Sequence, residues 1–438
     1  MIGLGRLVLY NNKTTFKYYL SKKETMEVIS GLITLSVILL LGFVAEFILY
    51  KFNIPDVLLL LLFGFILGPY GLGFLTPEQF YVFGPIFTTF ALLFLLFDGA
   101  FNIDLVGFAK GISQGTIIMI VNFILTSAII TLIMMMFKYD VMTGLLLGTT
   151  LGGVSSAFVI PLLKKLDVKK GTFSVLTIES AMTDVLCIVF ALTIMELITL
   201  HTFDVKSILT NIASLFAVAS FIGIIGATIW MIVVEKVLKE YKSYMTTIAV
   251  LLMVYVVTDY LGGNGAIATL FFGLVLKNAR PLTQLFKKKL NYKTKKKAVL
   301  TFSVSPSEKF FYGEISFLLK TVFFIYIAVL LDLSNVVALF IGGLVVIGIL
   351  LSRLFTFFIT PGFKPFDRAL ISSVYGRGLA AAAIIQIAIT SGVMYAVFLS
   401  HIIYVVITGT LVVSALQVFA LRVMPKKFWN KVERKLSS

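Results

Sequence analysis

Cysteine and histidine are nearly missing: 438 residues include one Cys, Cys187, and two His, His201 and His401. One thiol cannot build a disulfide framework, and so few soft ligands exclude an ordinary zinc, haem or iron–sulfur centre. Charge is scarce too. Only 13% of the residues are charged, against about 25% in soluble domains, which excludes a water-soluble fold. No Gly-rich loop ending in Lys-Ser/Thr is present, so the sequence points neither to ATP nor to a cofactor. What fills the chain instead is apolar: 59% hydrophobic residues, with a mean hydropathy of +1.04.

Runs of about 20 apolar residues are the length of a membrane-crossing helix. They fall near 27–49, 54–72, 82–102, 113–137, 141–163, 171–199, 207–235, 244–261, 264–277, 313–332, 335–359, 366–393 and 395–423. The expectation is an all-α polytopic membrane protein of about thirteen spans, with 264–277 either re-entrant or continued by Asn278–Leu285. A net charge of +16 could suggest nucleic acid. The lysines, however, sit in short loops between apolar runs, which is the positive-inside pattern, and no nucleic-acid partner is expected.

Lys164, Lys165, Lys169, Lys170, Lys236, Lys239, Lys242 and the cluster from Lys277 to Lys309 fall on one side, together with the tail from Arg422 to Lys435. That side is taken as cytoplasmic, which puts the C-terminus inside and the N-terminus outside the cytoplasmic membrane. Residues 1–25 carry Arg6, Lys13, Lys17, Lys22 and Lys23 on the outer face, against this rule. They lack the apolar core of a signal peptide. The expectation is that the native chain starts at Met26 and that 1–25 is an upstream extension; a genuine polar tail is the other reading. Residues 26–425 then form one membrane domain with a basic cytoplasmic loop at 278–312, and 426–438 a short basic tail. The basic loop suits either topology alone or contact with anionic lipid headgroups.

Two acids lie inside the span 171–199: Glu179 and Asp184, beside Ser180 and Thr183. A carboxylate at mid-membrane costs about 2.5–3.5 kcal/mol even on lenient scales, so it marks function or a buried ion pair. Ser180, Thr183 and Asp184 are spaced i, i+3, i+4 and share a helix face. Glu179, five residues before Asp184, points about 140° away. This suggests that one acid handles an ion and the other is structural. Arg377, flanked by Gly376 and Gly378, is in another apolar span and needs a carboxylate partner. Gly152 and Gly153, followed by Val154, Ser155 and Ser156, interrupt the span 141–163. Paired interruptions in two halves of a chain are the mark of inverted repeats in secondary transporters. Asp98 is an ion ligand, a relay or a solvated acid. Lys320 either functions or reaches back to the interface. Asp259 and Asp332 lie near span ends, where water is close, and His401 is read as a helix contact.

With these residues assembled, the chain resembles the monovalent cation/proton antiporter superfamily, especially NhaP-like sodium/proton exchangers. The resemblance rests on Ile54-Pro55 with Gly64 and Gly68-Pro69, on Glu179-Ser180-Ala-Met-Thr183-Asp184, and on Gly376-Arg377-Gly378. It implies two crossed interrupted helices in a transport core that rocks against a dimerisation domain, hence a homodimer in membrane lipid with no cofactor. It implies that Asp184 exchanges Na+ for a proton, with Ser180 and a carbonyl near Val154 completing the ion shell. Glu179 with Arg377 would be the structural pair, and Asp98 takes the place of the family's third-span acid. Two positions depart from the pattern. Thr183 stands where relatives carry Asn or Asp, and Val154-Ser155-Ser156 where close relatives carry Thr-Asp-Pro. Potassium-linked branches have Ser-Ser or Ser-Thr at that point, which leaves sodium, lithium and potassium open. A cation channel and an intramembrane aspartyl protease are the rivals from other classes. The first needs a continuous pore, and the second needs two facing aspartates.

Overall fold

The computed structural model describes residues 29, 31–51, 55–77, 84–100, 114–166, 168–200, 205–238, 244–279, 306–424 and 429. The proposed extension 1–25, the heart of the basic loop and, apart from Trp429, the tail 426–438 lie outside them. Helix is the expected solution for such a chain, because in lipid each backbone group must be bonded within its own segment. In order, the helices are α1 (Gly31–Lys51), α2 (Asp56–Leu67), α3 (Gly84–Ala100), α4 (Gln114–Met136), α5 (Val141–Thr150), α6 (Ser156–Lys165), α7 (Lys170–Leu200) and α8 (Val205–Val233), which runs on into a π turn, Val234–Leu238. They continue with α9 (Tyr244–Tyr260), α10 (Gly265–Lys277), α11 (Pro306–Leu330), α12 (Val336–Phe358), α13 (Pro365–Ser373), α14 (Leu379–Thr390) and α15 (Ala396–Val423).

Seven of these helices are long and apolar enough to cross a membrane unaided. Two short pairs, α5 with α6 and α13 with α14, each make one span interrupted in the middle. Counted so, the described helices match the thirteen expected spans one for one. α10 ends at Lys277 and is capped by Asn278; the expected continuation to Leu285 lies, beyond residue 279, outside the described residues. The breaks fall at 151–155 and 374–378, where Gly152-Gly153 and Gly376-Arg377-Gly378 stand.

α4–α7 and α12–α15 are two trios of the same design, each a long helix, a broken helix and a second long helix. α12 comes seven spans after α4, an odd number, so the second trio runs in the opposite sense: an inverted repeat. The trios interlock, α4 on α12 and α14 against both α5 and α7. The remaining helices form a second bundle. There α10 packs on α3, α8 and α9 around Phe94, Phe97, Trp230, Leu251 and Phe272, while α11 packs on α2 and α3. α3 and α10 also touch α7. That contact between bundles is where the candidate site lies.

Candidate ion site at the crossing of two broken helices

Breaking a helix frees N–H and C=O groups that lipid cannot satisfy. In each trio a hydroxyl on the second long helix meets part of this need. Val154 N donates to Thr183 Oγ1 at 2.9 Å. In the other trio, Arg377 N donates to Thr410 Oγ1 at 3.0 Å and Tyr375 N to Ser414 Oγ at 3.3 Å. The breaks also bond each other directly, Ser155 N donating to Gly376 O at 2.9 Å. The approach is so close that a Cβ on Gly378 would overlap Ser155 Oγ, and one on Gly153 would sit 2.6 Å from Cys187 Sγ.

Asp184 faces this crossing. Ser156 Oγ donates to Asp184 Oδ2 at 2.8 Å. The two residues share a cavity of about 40 Å3 lined also by Ser155, Ala181, Ile188, Leu270, Leu379 and Gly99. That volume holds little more than one water-sized particle, which suits a single dehydrated cation. Ser180 is not part of it. The shared-face argument placed Ser180 beside Asp184, but its hydroxyl turns back to Thr177 O at 3.2 Å, and Ala181 lines the cavity instead. Thr183 is used by the break, as described above, and likewise does not line the cavity. Asp98 also stays outside the lining, accepting from Ser316 Oγ at 2.9 Å, although its neighbour Gly99 is within it.

The expected pair of Glu179 with Arg377 is corrected by the geometry. Glu179 Oε1 is 2.5 Å from Arg353 Nη1 and accepts from Asn122 Nδ2 at 2.9 Å. Asn122 Oδ1 in turn accepts from Thr356 Oγ1 at 2.8 Å, and Arg353 Nη2 donates to Val374 O at 3.2 Å. Glu179 and Arg353 are 0% and 1% exposed. The rotation that aims Asp184 at the crossing aims Glu179 at α4 and α12, where Arg353 is waiting. Arg377, 1% exposed, is not helical. Its Nη1 donates to the carbonyls freed by the other break, at 3.2 Å to Gly152 O and more closely to Gly153 O. Its charge acts on both Asp184 and Glu179 through space. Sequence reasoning passed over Arg353 and Asn122, although an arginine deep in the span 335–359 was the same signal that singled out Arg377.

Lys320 does not reach for the interface. It forms an ion pair with Asp56, a buried acid at the start of α2. A larger cavity of about 370 Å3 opens at the C-terminal end of α7, and Glu196 and Asp259 stand in its walls with Asn264, Ile267 and Ser391. Asp184, Ile188, Leu192 and Glu196 form an i, i+4 row along α7. Ile188 lines the small cavity, and Leu192 and Glu196 line the large one.

Inverted trios, broken helices crossing at mid-span and a carboxylate at the crossing define a secondary transporter fold. Residues 32–423 match the family described as sodium/hydrogen exchanger, transmembrane, and the chain belongs to that family, within the monovalent cation/proton antiporters. It is 27% identical over 335 residues to Na(+)/H(+) antiporter 1 of Methanocaldococcus jannaschii, covering 73% of each chain. It is 23% identical over 256 residues to the K(+)/H(+) antiporter NhaP of Alkalimonas amylolytica, covering 57% of this chain but only 44% of that relative. Its fold is similar to the sodium proton antiporter MjNhaP1 of M. jannaschii at pH 8, with a TM-score of 0.69 and 22% identity over 90% of this chain and 98% of that one. These relatives are transporters.

The buried pair generates a prediction. Glu179 Oε2 and Arg353 Nε have no hydrogen-bond partner among the described residues, so the pair is incompletely compensated. Glu179→Met or Arg353→Met alone strands a charge and should lower stability by about 3–5 kcal/mol. The double Met variant should recover most of that loss. Thermal unfolding of the purified protein checks this; a double variant as unstable as the worse single would contradict it.

Proposed function

We propose that this chain exchanges a monovalent cation for a proton across the cytoplasmic membrane by alternating access, with both ligands taken in turn by Asp184. The observation that carries the reading is the place of that carboxylate: in a cavity for one small particle, beside a serine hydroxyl, where the core trios meet the second bundle. An oxyanion without water needs either a proton or a metal ion. When the site is loaded it is neutral and crosses; when empty it is charged and does not. Ser155, Ser156 and a carbonyl near Val154 complete the cation shell, in which Ser180 takes no part. Asp184 is the one ionisable residue among those lining the cavity, so the exchange is electroneutral, one for one.

Sodium is the proposed cation. The relative matched over 73% of its own length is named for it, and lithium would share the site. Potassium is the second reading, supported by Ser155-Ser156 at the break and by the relative named as a K(+)/H(+) antiporter. The second bundle serves as the dimerisation domain of a homodimer, with the N-terminus outside and the C-terminus in the cytoplasm. On that topology the acidic cavity at the end of α7 faces outward, and it serves as the cation's access from that side.

Purified protein in liposomes, tested with sodium, lithium and potassium while lumenal pH is read, should show cation-driven proton flux. Asp184→Asn should reduce the flux to the leak of empty vesicles. An imposed membrane potential should leave the wild-type rate unchanged; a rate that follows the potential would require a second titrating group. Glu196→Gln with Asp259→Asn should raise the KM for outer cation roughly three- to tenfold at low salt with kcat kept, through loss of focused negative potential. High ionic strength should shrink that difference. An unchanged KM at low salt would remove the cavity from the route.

A further inference from the structure

Four polar atoms at the second break have no hydrogen-bond partner among the described residues: Glu179 Oε2 of α7, Arg353 Nε of α12, and Tyr375 Oη and Arg377 Nε of the break itself. Glu179 and Tyr375 are 0% exposed and the two arginines 1%, so bulk water does not reach them. They belong to one cluster. Arg353 bonds Glu179 through Nη1, and through Nη2 it bonds the carbonyl of Val374, the residue before Tyr375. Tyr375 lies within electrostatic reach of both arginines, and Arg377 within reach of Glu179 and Arg353. Other atoms of the same side chains are partnered. Glu179 Oε1 also accepts from Asn122 Nδ2, and Arg377 Nη1 donates to Gly152 O and Gly153 O. The unmet need is confined to one carboxylate oxygen, two N–H groups and a phenol. Leaving such groups dry is costly, and native interiors seldom do so.

Their chemistry selects the occupant. Each Nε is only a donor, the carboxylate oxygen is only an acceptor, and the phenol is either. A cation would meet two guanidiniums, and an anion would meet the second oxygen of Glu179. A neutral molecule that donates and accepts at once suits all four groups, and a buried water typically makes about three such bonds.

We propose that Glu179, Arg353, Tyr375 and Arg377 form a binding site for ordered water inside the core. The water supplies the link between Glu179 and Arg377 that direct contact does not. Through it, the Glu179–Arg353 pair and the second break are joined to the carbonyls of the first break, which Arg377 Nη1 already holds. None of the four residues lines the cavity of Asp184, and the water site is independent of the exchange proposed there.

The test is radical footprinting of the whole protein in detergent. A short synchrotron pulse makes hydroxyl radicals in place from bound water, and mass spectrometry finds the side chains they oxidise. Tyr375 should be labelled well above Tyr404, which is also deeply buried but is bonded directly by Gln386 Nε2 at 2.7 Å. That comparison needs no variant. Glu179→Met with Arg353→Met replaces two of the four partners by apolar wall and should abolish the labelling of Tyr375. Tyr375→Phe should lower the unfolding midpoint of the native protein, and lower it less in the double Met background. Replacing chloride by gluconate should change none of these results. Tyr375 labelled no more than Tyr404, labelling that survives in the double Met variant, or equal midpoint shifts in the two backgrounds would each overturn the water site. Labelling that appears only without chloride would place an anion there and overturn it too. Transport does not enter the readout, so a failure of the exchange reading leaves this result standing.

Discussion

A helix cannot be broken in the middle of a membrane unless the groups freed by the break find partners inside the protein. Much of this molecule answers that demand. Thr183, Thr410 and Ser414 each present a hydroxyl to a broken segment, and Arg377 lays its guanidinium across Gly152 O and Gly153 O. Ser155 N bonds Gly376 O, so each break is in part the solvent of the other. Glycine at 378 allows that approach, because a Cβ there would collide with Ser155 across the crossing, and glycine at 153 lets the first break lie against Cys187 and Thr183 of α7. The polar gap opened in this way is where a carboxylate can meet a small cation.

Both acids of α7 follow from the same geometry. Glu179 and Asp184 are on one helix but face different neighbours, and their surroundings differ accordingly. Glu179 is closed in by Arg353 and Asn122, each within 2.9 Å, and its network ties α4, α7 and α12 to the second break through Val374 O. Asp184 has a serine hydroxyl, a small cavity and no direct cationic partner among the described residues. One carboxylate is thus held by fixed charge and the other is left for an exchangeable one. Arg377 joins the two, bonded to the backbone of the first break while its charge is felt by both acids.

The spans were legible in the sequence because lipid imposes a length and a hydropathy on each of them. The two breaks were legible because glycine beside polar residues is costly in the middle of a helix. Asp184 was legible as an acid where an acid is expensive. Partners were harder to read. Helical spacing tells which way Glu179 turns relative to Asp184, but not which helix stands there, and Arg353 comes from the other half of the chain. Arg377 was taken for a side chain in search of a carboxylate, when the freed carbonyls of Gly152 and Gly153 were available. Ser180 failed for a local reason: its hydroxyl bonds Thr177 O one turn back, an option that face arithmetic does not weigh. Asp56 was hidden by its place behind Pro55 at a helix start, where an acid looks like a cap although it is in fact buried with Lys320.

The account depends on proton and cation excluding each other at one carboxylate. The most direct measurement adds sodium or potassium to purified protein in weakly buffered detergent near neutral pH, counting protons released against cations bound. One proton should leave for each cation bound, and Asp184→Asn should release none. Cation binding with no proton release, or release undiminished in the Asn variant, would contradict the account.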